Sequence, residues 1–175
     1  LFAFFSFQKF AGQIKQSNNM SEELKSEVAT VYREYNGGYF RTLISPGQSG
    51  GALALMEMVL PQGAEPPMHL HDHEDEAFYL LNGEMLFQID GKEIHAKAGD
   101  AVFAPRKVPH LFKILSREVR FLTLISPGNF WEYFIEFSKP CIGEPVVTPP
   151  QGPPSTEFIA HLTKRMTLSY GITIF

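Results

Sequence analysis

Between Tyr39 and Ser126 apolar residues recur with a period of two. They fall in short runs at Tyr39–Ile44, Ala52–Leu60, Glu76–Leu81, Met85–Ile89, Glu93–Ala96, Ala101–Ala104, Leu111–Leu115 and Val119–Ile125. Alternation puts every second side chain on one face of an extended segment, the pattern of a strand with one side in a core. Turn residues separate the runs: SPGQSGG, PQGAEPP, NG, DG, KAGD and PRKVP. Many short strands divided in this way predict an all-β sandwich or barrel. Asp90-Gly91 predicts a tight hairpin that sets the pairing of its flanking strands, and Asn82-Gly83 is a second signal of that kind.

The period changes at both ends. Ser21 is placed to cap a helix whose first turn carries Glu22 and Glu23, charges that suit the positive end of the helix dipole. Leu24, Val28 and Val31 form one apolar stripe, and Gly37-Gly38 ends the element, so an N-terminal helix is expected within residues 20–38. The barrel is expected over residues 39–140. Its last part, SPGNFWEYFIEFSKP around Trp131, is aromatic enough to close the barrel mouth or to serve a subunit contact. Residues 141–154 form a Pro-rich connection. Ser155 or Thr156 then caps a C-terminal helix within residues 155–175, with Phe158, Leu162, Met166 and Tyr170 on one stripe and Gly171 as its stop. That helix is expected to pack on the outside of the barrel. Residues 1–19, with five Phe in the first ten positions, lack the basic flank and small-residue cleavage site of a secretory signal. They read as an upstream, vector-derived or disordered segment, with Met20 as the start.

Composition narrows the function classes. The 175 residues are enough for one domain with a substantial core, and no internal repeat or second domain is visible. A net charge of -4 with no basic block excludes nucleic acid as an expected partner. No apolar run is long enough to span a membrane as a helix. The single cysteine, Cys141, leaves no intramolecular disulfide and fits a reducing compartment, so a cytoplasmic location is expected.

The candidate chemistry lies in one stretch. His69 to Glu76 packs three histidines and four carboxylates into eight residues. His69 and His71 are two apart and share a face of an extended strand, while Glu76 opens the next strand. Imidazoles and a carboxylate brought together across neighbouring strands suit a divalent transition metal of intermediate softness, and His110 is the candidate for the fourth ligand. His73 shares the parity of the first pair; it is placed at the rim, where it contacts substrate or is simply exposed. Asp72, Glu74 and Asp75 are expected to face solvent, each with the alternative of holding an imidazole in one tautomer. His95 and His161 are read as surface or core residues. If Glu76 and His110 point inward, strand parity carries Phe78, Phe112 and Ile114 inward with them. Those three, with Met56, make a candidate substrate pocket, and Met58, Phe87 and Phe103 are further wall candidates.

These residues carry a resemblance. Gly63, His69, His71, Glu76 and Gly83 fit the pattern G-x5-H-x-H-x4-E-x6-G, and GDAVFAPRKVPH, from Gly99 to His110, resembles a second pattern, G-x5-P-x-G-x2-H-x3-N. Together they are the signature of the cupins, small β-barrels of the double-stranded β-helix or jelly-roll type that hold a metal on three His and one Glu. The second pattern is departed from at Lys107, where Gly is usual, and at Ile114, where Asn is usual. From about Tyr39 to Ile174 the chain is similar to small single-domain quercetinase-like cupins. That resemblance implies His69, His71, Glu76 and His110 as ligands of one Fe, Mn, Ni, Co or Zn ion. It implies Glu76 as catalytic base, a flavonol 2,4-dioxygenase type of reaction consuming O2 and releasing carbon monoxide, and a homodimer. The same ligands support other chemistry. A non-redox isomerase or lyase is one alternative, favoured by polar and basic cavity walls; a non-catalytic binding module for a small molecule is the other.

Overall fold

The structure is a computed structural model that describes residues 31–175, so the expected segment 1–19 and the start of the N-terminal helix lie outside the described residues. Twelve strands follow in chain order: β1 (Arg33–Tyr35), β2 (Gly38–Ile44), β3 (Ala54–Pro61), β4 (His69–His71), β5 (Asp75–Asn82), β6 (Glu84–Ile89), β7 (Lys92–Lys97), β8 (Ala101–Ala104), β9 (His110–Ile114), β10 (Glu118–Ser126), β11 (Lys139–Pro140) and β12 (Ile172–Ile174). Among the described residues three helices accompany them, α1 (Pro46–Ser49), α2 (Trp131–Glu136) and α3 (Thr156–Tyr170), with a 3-10 turn at Gly128–Phe130 leading into α2. Among the described residues no helix is long and apolar enough to cross a membrane.

The strands form a seven-stranded sheet in the order β11-β1-β2-β3-β10-β5-β8 and a five-stranded sheet in the order β12-β4-β9-β6-β7. All pairings are antiparallel. β10 shows the logic: Val119, Phe121, Thr123 and Ile125 are buried, while Glu118 and Arg120 point out. The inner faces of the sheets enclose a core in which Phe40, Phe87, Phe121, Met56 and Leu80 are fully buried. Each such side chain contributes about 1.5–3 kcal/mol relative to leaving it in water. On β3 the alternation is masked, because Glu57 on the opposite face is also buried. Arg41 and Arg120, from the neighbouring strands, both bind its carboxylate.

Three connections differ from expectation. Arg33–Tyr35 is a strand and not the end of a helix, because Asn36 and Gly37, both at positive φ, form the two-residue turn that joins β1 to β2. Gly83 does not close a hairpin: β5 and β6 lie in different sheets, and Gly83 is the corner between them. At the C-terminus the chain does not stop at α3. It turns at Gly171 and adds β12 to the free edge of β4, with Ile172 opposite His71 and Ile174 opposite His69. Asp90-Gly91 does form the tight turn between β6 and β7.

Candidate metal centre

Both sheets contribute to one cluster. β4 buries His69 and His71 on one face, β9 buries His110, Phe112 and Ile114, and β5 buries Glu76, Phe78 and Leu80. His69 and His110 sit directly opposite each other across the β4–β9 ladder. Glu76 approaches from the seven-stranded sheet and meets them in the interior. One donor atom from each of His69, His71, Glu76 and His110 lies within 4.8 Å of all the others. The Glu76 Oε2 is 3.4 Å from His71 Nε2 and 3.3 Å from His110 Nε2. Such spacings match neighbouring ligands held at roughly 2.1 Å from a shared ion.

The imidazoles are set up to donate lone pairs. His69 Nδ1–H donates to the carbonyl of Pro67 and His110 Nδ1–H to that of Val108, both at 2.9 Å, which leaves the Nε2 of His69 free to ligate and turns that of His110 toward the Glu76 carboxylate. His71 is fully buried and neither of its ring nitrogens has a hydrogen-bond partner. An orphaned, buried imidazole is costly unless something occupies its lone pair, and a metal ion does so. The donor set therefore fits a divalent transition metal.

The charges of His69 and Glu76 favour the same state, and His110 is drawn toward its protonated form. Burial pushes the His69 ring down to about 4, against the opposing pull of Glu76, so it is neutral near pH 7. Burial raises the Glu76 carboxyl, but the imidazoles of His71, His110 and His69 outweigh it and hold the group at about 2. Burial lowers His110, yet its hydrogen bond and attraction to Glu76 leave it above its ordinary value.

His69, Glu76 and His110 face a cavity of about 70 Å³. Its apolar wall comes from Met58, Leu60, Phe78, Phe112, Phe121, Phe130, Phe134 and Met166, and its polar groups are Thr123, Tyr35 and Tyr133. The Tyr35 and Tyr133 hydroxyls are 3.1 Å apart. Among the described residues no Lys or Arg lines this cavity. Phe130, Tyr133 and Phe134 close the mouth from α2 and the turn before it. Trp131 is half-buried, its Nε1–H donating to Thr42 Oγ1 at 2.8 Å, which ties α2 to β2. A wider surface groove of about 670 Å³ shares Tyr35 alone with the inner cavity.

Of the expected pocket residues, Phe78 and Phe112 line the cavity and three do not. Met56 lies deeper, since the cavity begins two positions further along β3 at Met58. Ile114 is buried beyond Phe112, opposite Met85 on β6, and packs as core. His73 is exposed and lines a separate surface depression with Glu74, Tyr170 and Gly171. β4 ends at His71, so strand parity stops there; Glu74 turns inward in place of His73, with its side chain 6% exposed. Asp72 is exposed, and Asp75 is bound by Arg106 at 2.7 Å. Phe87 is core and Phe103 points to solvent. Tyr35 and Tyr133 were not singled out from the sequence; recognising Asn36-Gly37 as a hairpin turn was the available signal for the first.

Lys107 stands at φ 62, the left-handed region that glycine tolerates best, and its amide donates to the His71 carbonyl at 2.7 Å. The departure from the usual glycine thus keeps the turn and strains it. Lys107→Gly is expected to raise unfolding stability by about 0.5–1 kcal/mol, the relief of about 1–2 kcal/mol being partly offset by the freer unfolded chain. Urea unfolding of both proteins checks this.

A barrel of two antiparallel sheets with three buried imidazoles and one carboxylate converging inside it defines a known class of protein. The family model for the cupin domain matches residues 56–125, a span that holds all four donors. The chain is 31% identical over 90 residues to an uncharacterized protein of Methanocaldococcus jannaschii, across 50% of this chain and 72% of that protein. It is 26% identical over 111 residues to quercetin 2,3-dioxygenase of Bacillus subtilis, across 63% of this chain and 33% of the enzyme. The oxalate-binding protein of Thermotoga maritima is 40% identical over 53 residues, 30% of this chain and 44% of that protein. The chain belongs to the cupin superfamily.

Proposed function

We propose that the protein is a metal-dependent dioxygenase that cleaves a flavonol-like or other enolic or phenolic small molecule with O2. The observation that supports this most is the character of the cavity beside the donors: aromatic rings line it, and among the described residues no Lys or Arg does. A neutral or singly charged aromatic enol suits such walls through edge-to-face packing. A dianion such as oxalate would find no Lys or Arg there among the described residues. When bound on His69, His71, Glu76 and His110, a divalent Fe, Mn, Ni, Co or Zn ion supplies Lewis acidity and open positions for oxygen ligands.

The chain's own residues do the rest. The Glu76 carboxylate is ionised at working pH and takes the proton of the substrate enol at a carboxylate oxygen. Phe78, Phe112 and Phe121 exclude water from the reacting ring. Of the two hydroxyls of the Tyr35–Tyr133 pair one donates to the other, which leaves the second O–H for another oxygen of the substrate. With a flavonol, O2 adds across the ring carbons that flank the enol carbon, and that carbon leaves as carbon monoxide. A cavity of about 70 Å³ is below the roughly 300 Å³ of pockets for drug-sized ligands, so a flavonol requires the α2–α3 side to part. The reading includes a cytoplasmic location and a homodimer. Tyr79, Leu81 and Phe103, exposed on β5 and on the edge strand β8, are available for the dimer contact.

Oxygen uptake and carbon monoxide release are measured with a flavonol on protein reconstituted with each metal in turn. Equal amounts of the two gases exchanged are the expected result. Rearranged product without O2 consumption would move the protein to the isomerase or lyase class, and saturable binding without product would make it a binding module.

A further inference from the structure

The three imidazoles of the cluster are not held alike. His69 and His110 each give their Nδ1–H to the backbone carbonyl two residues upstream. His71 has no such carbonyl. What faces its Nδ1 is the Oε2 of Glu74, 3.6 Å away. That is too long for a hydrogen bond, and the two atoms are both buried and both without a partner. Two orphans facing each other across so small a gap are an unusual arrangement, because a buried carboxylate oxygen and a buried imidazole nitrogen each lose their hydration on folding.

From this arrangement we infer that Glu74 is a positioning residue for the metal site: it accepts the Nδ1–H of His71 once the Nε2 of that ring is committed to a metal ion. A neutral imidazole carries one N–H, so engagement of Nε2 with a cation fixes the proton on Nδ1 and turns that atom into a donor. Glu74 is then the acceptor within reach, and a small rotation of either side chain closes the gap. A carboxylate in that place raises the basicity of the ring and fixes its orientation, as backbone carbonyls do for the other two. The pairing also accounts for why Glu74 turns inward where Asp72 and His73, its neighbours in the same turn, are exposed.

This inference rests on the metal-site reading, and the test separates the two. Zn(II) and Co(II) affinities are measured by competition with a chelator for the wild type, Glu74→Gln and Glu74→Ala, along with thermal unfolding of each metal-free protein. Wild-type protein that takes up neither metal would end the metal-site reading itself. If the wild type binds, Glu74→Ala is expected to lose about 10–100-fold in affinity, with Glu74→Gln, which keeps an acceptor but not its charge, in between. The metal-free Glu74→Ala protein is expected to unfold at the same temperature as the wild type or higher, since a buried carboxylate oxygen without a partner has been removed. Equal affinities in all three proteins would overturn the inference. So would a fall in metal-free unfolding temperature that accounts for the affinity loss, because Glu74 would then be a structural residue only. An altered visible spectrum of Co(II) in the Glu74 variants, at full occupancy, is the expected signature of a reoriented His71.

Discussion

Glu76→Gln is expected to bind metal at least about 100-fold more weakly than the wild type and, when forced to full occupancy, to turn over about 10²–10⁴-fold more slowly. Two roles converge on one carboxylate. Its Oε2 is 3.3 Å and 3.4 Å from two of the three imidazole nitrogens, so it supplies the only negative charge in the donor set. It also faces the cavity, where it takes the substrate proton in the proposed reaction. Gln keeps the shape and a hydrogen-bonding group against His71 and His110 but loses both the charge and the proton acceptor. Metal analysis of the purified variant tests the first effect, and oxygen uptake at saturating metal tests the second. The two losses have different pH signatures. Glu76 stays ionised down to about 2, so in the wild type it does not set an acid limb near neutrality. His110, held above its ordinary value by Glu76, gains a proton before His69 does as the pH falls. A proton on its Nε2 competes with the ion, so wild-type metal affinity is expected to decrease from neutral to mildly acidic pH. In Glu76→Gln that decrease should shift to lower pH, because the carboxylate no longer favours the imidazolium. Metal titrations at several pH values read the shift directly.

The sequence reveals the parts of the site that depend on strand parity and hides the parts that depend on where a strand stops. His69 and His71 share a face because β4 is extended over both, and Glu76, Phe78, His110 and Phe112 follow the same rule. His73 obeys that rule only on paper, since β4 has ended before it and the turn presents Glu74 to the interior instead. Met56 and Ile114 have the expected parity as well and are buried. They miss the cavity because parity gives a face of a strand and not a level along it. Tyr35 was obscured differently. A charged, helix-compatible stretch before Asn36-Gly37 reads as a helix ending in glycine, although the same dipeptide is a two-residue hairpin signal. Ile172–Ile174 is too short to show a period at all, and only its place beside His69 and His71 makes it a strand. Asn82-Gly83 shows the remaining ambiguity, in which one turn signal serves a corner between sheets as well as a hairpin within one.

That corner gives the second large effect: Gly83→Val is expected to destabilise the metal-free protein by on the order of 3–5 kcal/mol, a large part of the 5–15 kcal/mol typical of a domain. Gly83 alone separates β5 from β6, and its φ of 85° lies where a β-branched residue is disfavoured by about 1–2 kcal/mol. Space adds to that conformational cost. A Cβ on Gly83 would stand 2.6 Å from Ser116 Oγ and 2.7 Å from the Glu118 carbonyl oxygen. Ser116 cannot simply swing away, because its hydroxyl accepts from the Glu84 amide at 3.1 Å and donates to the Glu118 carbonyl at 2.6 Å. Relief therefore has to come from the backbone, by moving β6 relative to β10. The metal centre feels that movement, since β5 carries Glu76 while β6 pairs with β9 and places Ile89 opposite His110. Gly83→Val is thus expected to lower the urea midpoint of the metal-free protein and to weaken metal binding, even though it lies outside the donor set. Gly83→Ala should show both effects in smaller measure, since it meets the same contacts with one methyl group. A pair of variants that lost stability but bound metal as the wild type does would show that the corner holds the sheets together without setting the distance between Glu76 and His110.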